Sequence, residues 1–304
     1  MPKISIVIPA LNEEKFLPNL LQSIGGQSFK DFEVIVADAG SKDKTVPLAK
    51  KFGAKVVKGG LPGPGRNRGA EVAKGEFLFF LDSDVVLPKD FLQKAFEEME
   101  ERFLDLATCE FLPQSDLQLD KVMFKLANLH VKLNQNFNPR AAGFCIFITK
   151  RLFDRIGGFD EAVKIAEDHD LVDRASKFRP LRFLNSTHLT VSIRRLEKEG
   201  RFSLVEKYLQ VEMHLFTKGS IKEDIIEYEF GNFGKEGDPK LSKKILDDLE
   251  KNLIQLEGKY NQLTGKLKSD LNDVQSEFKN WKQNLEKMGE SFQSIFTGKG
   301  KKSK

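Results

Sequence analysis

Asp82-Ser83-Asp84 stands directly behind the apolar run Phe77–Leu81. Two carboxylates one residue apart, just past a strand, can reach one bound cation and the ribose of a nucleotide together. A Mg2+ or Mn2+ ion prefers oxygen ligands and takes the remainder from phosphate and water. The same tripeptide would also make a solvated turn, since Asp and Ser favour turns. A second acidic stretch, Asp38-Ala39-Gly40-Ser41-Lys42-Asp43, follows another apolar run. It suits a strand-to-helix turn, with Ser41 or Asp43 able to cap. His130, His188 and His214 have no mutual spacing that suggests a metal site. Cys109 and Cys145 lie in apolar surroundings and read as buried thiols rather than a zinc site or a disulfide framework.

These residues need elements to hold them. Ile4–Pro9 and Phe32–Ala37 are short apolar runs, as in buried parallel strands. Asn12 suits a helix cap, with Phe16, Leu20, Leu21 and Ile24 at helical spacing behind it. A second helix is predicted over Ser41–Phe52, a third strand over Lys55–Val57 and a helix near Asn67–Ala73, after the loop Gly59–Gly65. Phe77–Leu81 is the fourth strand and Lys89–Arg102 a helix. Strands alternating with helices over about a hundred residues predict a doubly wound parallel sheet. Ligands bind beyond the carboxyl ends of such strands, which is where Asp38 and Asp82–Asp84 fall. The middle is less regular. Helices are expected at Leu119–Leu133, from Lys150 to the Gly157–Gly158 stop, and at Ala166–Phe178. Strands are expected at Ala142–Thr149 and Leu189–Ile193. Phe202–Phe216 has the pattern of an amphipathic helix, suited to covering the core or lying against a membrane surface.

The tail differs in kind. From Leu249 to Ile295 apolar residues recur in steps of three and four, with one stutter at Leu263–Leu267–Leu271. That is a coiled-coil repeat, weakened by Gly258, Gly265 and Gly289. Residues 298–304 are expected to be disordered. The chain of 304 residues thus divides into a body at 1–238, a helical extension at 239–297 and a tail. Its 49 Lys+Arg exceed its 45 Asp+Glu by four. Residues 241–304 carry 13 Lys, no Arg and 9 acidic residues, which accounts for the whole excess. The body is neutral, so no nucleic-acid partner is expected. The coil is expected to form a homo-oligomer or to dock on an acidic partner or membrane surface. The chain opens on a strand pattern without a leader, and no stretch reaches the roughly 18 apolar residues that cross a bilayer. A cytoplasmic protein is expected, with peripheral contact at the inner face of the membrane left open.

The order IVIPALNEE, DAGSKDKT, GRNRGAEVAKGEFLFFLDSD, AAGFCIFITKRLFDRIGGFDE and AEDHDL resembles the inverting glycosyltransferases of family 2. The resemblance covers about residues 4–200. It implies the GT-A fold, an α/β architecture with a Rossmann-like, mostly parallel sheet flanked by helices. It implies transfer of a sugar from a nucleoside-diphosphate sugar to an acceptor hydroxyl or lipid phosphate. By the same resemblance Pro9, Ala10, Asn12 and Glu13 line the nucleotide pocket. Asp38 accepts from the ring N–H of the base. Asp82 contacts ribose, with Ser83 beside it, and Asp84 ligates Mg2+ or Mn2+. Asp168 is the general base and Glu167 positions it or touches acceptor. His169 reads as a helix residue without a catalytic role, and Asp170 points elsewhere. Arg66 and Arg68 suit phosphate or base by their forked donors, or are surface arginines on a helix N-terminus. Arg194-Arg195 would sit in a loop that closes on the diphosphate. The chain lacks the Gln-x-x-Arg-Trp motif of processive members, so transfer of a single sugar is expected. The acceptor stays open among lipid, glycan and protein.

Three other classes fit less well. A nucleotidyltransferase would carry glycine and basic residues in the first strand–helix loop, where this chain has Pro-Ala-Leu-Asn-Glu-Glu. A non-catalytic assembly module would have no need of Asp38, Asp82, Asp84 and Asp168 together. A glycoside hydrolase also uses two carboxylates, but a nucleotide-type sheet is an odd setting for one.

Overall fold

Ile4, Ile6 and Ile8 pack on one face of a central sheet, while Val7 packs on the other. Phe77 and Phe79 join the first face, Leu78 and Phe80 the second. Side chains alternate across a strand, so a strand apolar at every position must be covered on both sides. A computed structural model shows how. It describes residues 1–136 and 138–201, together with Lys251, Ile254 and Gly258.

The strands are β1 (Ile4–Ala10), β2 (Phe32–Asp38), β3 (Lys55–Lys58), β4 (Phe77–Phe80), β5 (Val85–Val86), β6 (Leu106–Pro113), β7 (Ile146–Thr149) and β8 (Arg182–Val191). The helices are α1 (Leu17–Gly25), α2 (Thr45–Lys51), α3 (Pro62–Glu71), α4 (Phe91–Glu101), α5 (Gln118–Asn134), α6 (Lys150–Arg155), α7 (Glu167–Ser176) and α8 (Arg194–Glu199). Leu17, Leu20, Leu21 and Ile24 of α1 and Phe91, Leu92, Ala95 and Met99 of α4 cover the first face. Ala70 of α3, Leu152 and Phe153 of α6, and Leu171, Val172 and Ala175 of α7 cover the second. Each fully buried Phe or Leu stabilises the fold by about 1.5–3 kcal/mol. Phe79 on β4 and Phe147 on β7 bring their rings to 4.5 Å across the first face.

The sheet order is β3-β2-β1-β4-β7-β6-β8-β5. The strands β3, β2, β1 and β4 run parallel, and β6 with β8 is parallel too. However, β7 is antiparallel to both β4 and β6, and β5 is antiparallel to β8. The sheet is therefore mixed rather than purely parallel, as the GT-A expectation allows.

Several boundaries differ from those expected. Asn12 does not cap α1. It adopts φ 56° in a loop, and the helix begins at Leu17 with a proline in its first turn, where a missing N–H costs nothing. The helix α2 begins at Thr45, because Asp43 Oδ1 accepts from the Thr45 N–H and holds a turn there (2.9 Å). The helix α3 begins at Pro62, inside the expected loop. Its glycines serve close packing: a Cβ on Gly69 would lie 2.3 Å from Val7 Cγ1. The strand expected over Ala142–Thr149 shortens to β7, because the Cys145 N–H donates to the Ala142 carbonyl in a turn (2.8 Å). The strands β5 and β6 were not expected.

Both cysteines are free and buried, with their sulfurs 3.4 Å apart. The chain divides into two units, Met1–Glu236 and Gly237–Lys304. The amphipathic pattern at 202–216 and the tail at 298–304 lie outside the described residues, as does the coiled coil apart from Lys251, Ile254 and Gly258. Among the described residues no helix is long and apolar enough to cross a membrane.

Candidate active site

The loop after β1 and the loop after β2 are stitched together by polar contacts. The Asn12 N–H donates to Ser41 Oγ (2.8 Å), and Asn12 Oδ1 accepts from the Lys42 N–H (2.9 Å). The Glu13 N–H donates to Thr45 Oγ1 (2.7 Å), and the Glu14 N–H to Asp43 Oδ2 (3.0 Å). The left-handed backbone of Asn12 turns its side chain toward the neighbouring loop, a conformation Asn tolerates. Ser41 and Asp43, expected as caps, thus tie one loop to the other.

Asp38 ends β2. Its Oδ2 accepts from the Gly40 and Ser41 N–H groups (2.9 and 3.0 Å), while Oδ1 is buried without a partner. A buried lone acceptor is costly unless a ligand supplies a donor. Asp38 lines a cavity of about 350 Å³ with Ala39, Gly40, Val46, Val56, Val57 and Gly59, and with Lys50 and Lys58. Pro9 and Ala10 form the end of β1, and the Ala39 N–H donates to the Ala10 carbonyl (2.9 Å).

Asp82, Ser83 and Asp84 follow β4, with Ser83 buried. Two arginines grip the flanking acids. Asp82 Oδ1 accepts from Arg66 Nη2 (2.8 Å). Asp84 Oδ2 pairs with Arg194 Nε (2.8 Å), and the same guanidinium meets both oxygens of Glu13 (2.7 and 2.9 Å). Arg194 also lies over the Phe16 ring at 4.3 Å. Burial pushes the Asp84 carboxyl up to about 6. Arg194 opposes this, and the nearby charges of Asp82 and Glu13 add to it.

Glu167 and Asp168 open α7, where the positive end of the helix favours carboxylates. Glu167 Oε1 accepts from Arg66 Nη1 (2.7 Å). Asp168 Oδ2 accepts from the Gly143 N–H and Oδ1 from the His169 N–H, both at 2.8 Å. Burial raises both carboxyls above their usual range, while Arg66 pulls them down. Asp170 pairs instead with Arg174 (2.7 Å).

The structure thus brings together Glu13, Asp82, Asp84, Glu167, Asp168, Arg66 and Arg194. Arg66 is not a surface arginine: it is 2% exposed, in the body of α3, and its partners are carboxylates. Arg194 is similarly occupied by acids. Two expected residues stand apart. Arg68 is exposed and pairs with Glu71 and Glu161 (3.0 and 3.4 Å), and Arg195 pairs with Glu199 in its own helix (2.7 Å). Two contributors escaped the sequence reading. Phe16 looked like a core residue of α1, and its ring instead carries Arg194. Gly143 lies in a segment that carries the resemblance, AAGFCIFIT, but the resemblance assigns its N–H no role.

Among the described residues no group of three His, Cys, Asp or Glu could hold a metal ion by itself. The donor set still fits a divalent cation that brings part of its own shell. Five carboxylates face two guanidiniums, and like charge is one of the causes that raise Asp84. Asp84 would be the residue to offer such a cation a hard oxygen ligand.

Residues 5–152 match the family described as Glycosyl transferase family 2. The poly(ribitol-phosphate) beta-N-acetylglucosaminyltransferase TarS of Staphylococcus aureus is 30% identical over 202 residues, covering 63% of this chain and 34% of that protein. The uncharacterized glycosyltransferase EpsJ of Bacillus subtilis is 27% identical over 188 residues, covering 55% of this chain and 54% of EpsJ. The chain therefore spans about a third to a half of the length of these relatives. A crystal structure of S. aureus TarS 1-349 in complex with UDP-GlcNAc superposes with a TM-score of 0.53 at 25% identity, covering 70% of this chain and 66% of that one.

Proposed function

We propose that this chain, whose residues 5–152 belong to glycosyl transferase family 2, transfers a single sugar from a nucleoside-diphosphate sugar to an acceptor with inversion at the anomeric carbon. What carries the reading is the Arg66 guanidinium, which joins donor-side Asp82 to acceptor-side Glu167, next to Asp168. Acids of the two roles thereby belong to one hydrogen-bonded cluster.

Asp38 accepts from a ring N–H of the base at the cavity after β2, once its buried, unpartnered Oδ1 is uncovered. Uridine is the first base to test, since a TarS structure holds UDP-GlcNAc. Asp82 keeps 36% of its side chain open, enough for a ribose hydroxyl to reach it. A divalent cation on Asp84 would supply charge stabilisation to the departing diphosphate. Arg194 pairs with both Glu13 and Asp84 and so orients the carboxylate that would hold the cation. Asp168 takes the acceptor's proton as the acceptor oxygen attacks the anomeric carbon, and the bond to the diphosphate breaks on the opposite face. Two backbone N–H groups aim the Asp168 carboxylate, and burial makes it a stronger base than an exposed one. The acceptor is a hydroxyl on a lipid, a glycan or a protein, or a lipid phosphate.

The test is release of nucleoside diphosphate from a panel of nucleotide sugars, with and without Mn2+. Asp168→Asn should cut transfer by roughly 10²–10⁴-fold with donor binding intact. Asp84→Ala should abolish the metal-dependent part of donor binding. Donor binding indifferent to metal, together with a fully active Asp168→Asn variant, would overturn these roles.

A further inference from the structure

Arg66 touches more of the site than a phosphate contact would need. Its Nη2 donates to Asp82 and its Nη1 to Glu167, across 16 and 101 positions of sequence. Its flat face lies against Gly143. A Cβ built there would sit 2.5 Å from Nη2, 3.0 Å from Cζ and 3.1 Å from Nη1, so a side chain at 143 would push the guanidinium from its place. Phe159 lies on the guanidinium as well, 5.5 Å from its centre. The same Gly143 presents its N–H to Asp168. One guanidinium therefore sets the position of Asp82, of Glu167 and of the backbone that aims Asp168.

We infer that Arg66 is a positioning residue that couples the donor half of the site to the acceptor half, with Gly143 as its seat. The inference rests on the glycosyl-transfer reading and assigns within it a role that no substrate contact is needed to explain. A shift of Asp82 on donor binding is passed through the rigid fork to Glu167 and, through Gly143, to Asp168. A lysine keeps the charge but has no fork, so it cannot span both carboxylates while lying flat on Gly143. A misplacement of about 1 Å at such a point costs about 10²-fold in rate.

The experiment compares Arg66→Lys, Gly143→Ala and the double variant in the full chain with Mn2+. It measures nucleoside-diphosphate binding by calorimetry, transfer kinetics, and melting temperature. Each single variant should lose about 10²-fold in kcat, with the nucleoside-diphosphate Kd changed by less than about tenfold. The double variant should be no worse than the worse single, because both break one contact. Added guanidinium ion should restore part of the activity of Arg66→Ala, and sodium at equal concentration should not. Wild-type kcat in Arg66→Lys, multiplicative losses in the double variant, or losses that follow melting temperature alone would overturn the inference. If the unmodified chain binds no nucleoside diphosphate, the glycosyl-transfer reading falls and takes this one with it. Normal binding and transfer with an unaffected Arg66→Lys sinks the coupling role alone.

Discussion

Asp84 is held against its own preference. Its carboxyl rises from 3.8 to about 6, so the folded state binds that proton more tightly than the unfolded chain does. Above about pH 6 the ionised form costs stability, and below about pH 4 the cost is absent. Asp84→Asn should therefore raise the melting temperature of the metal-free protein at pH 8. The gain is at most about 3 kcal/mol, less what the lost bond to Arg194 contributed. It should vanish toward pH 4. Thermal melts across that range check it, and a lower melting temperature at pH 8 would refute it. Asp38, Asp82, Asp84, Glu167 and Asp168 could all be picked out in the sequence, because motif order and strand ends mark them. The state of Arg66 could not. Neighbours 16 and 101 positions away leave no trace in local spacing. Arg194 was expected at the diphosphate, and its grip on Glu13, 181 positions back, left no trace in the sequence.

At the scale of elements, α3 lies against β1 through glycines. A Cβ on Gly69 would meet Val7 Cγ1 at 2.3 Å, and Val7 is fully buried. Gly69→Ala should therefore destabilise the protein by about 1–3 kcal/mol through overpacking, although alanine is the better helix former. Urea unfolding reads this directly, and a stabilised variant would show that α3 can move away from the sheet. The alternation of β1, β2 and β4 with helices was plain in the sequence, since uninterrupted apolar runs have one solution. The start of α3 was hidden because Pro-Gly-Pro-Gly reads as a loop unless a tight helix–sheet contact is known. Strand β6 was hidden because Leu106–Pro113 mixes Thr, Glu and Pro with its apolar residues, and β5 is only two residues long.

At the scale of the molecule, residues 1–201 hold every group assigned to chemistry. The repeat after residue 240 is itself neutral, and the whole charge excess lies in Lys299, Lys301, Lys302 and Lys304 behind it. We propose that this repeat makes a homo-oligomer or docks on an acidic partner or membrane surface. Truncation at residue 240 should leave nucleoside-diphosphate binding unchanged while altering oligomeric state or vesicle binding. Sedimentation with and without anionic vesicles tests this, and no change in either would remove the idea. The strand order has a further consequence, for the chain as it is made. Pairing of β1 to β4 is complete once about 80 residues have emerged, yet the other neighbour of β4 is β7, at Ile146–Thr149. Arg194 follows Asp84 by 110 positions. At about 5–20 residues per second, Asp84 waits on the order of ten seconds for its cation partner. Through much of that interval Phe77–Phe80 is an apolar edge open to pairing with any passing strand. The half that carries β1 to β4 is born first, and it is the half that most needs shelter during synthesis.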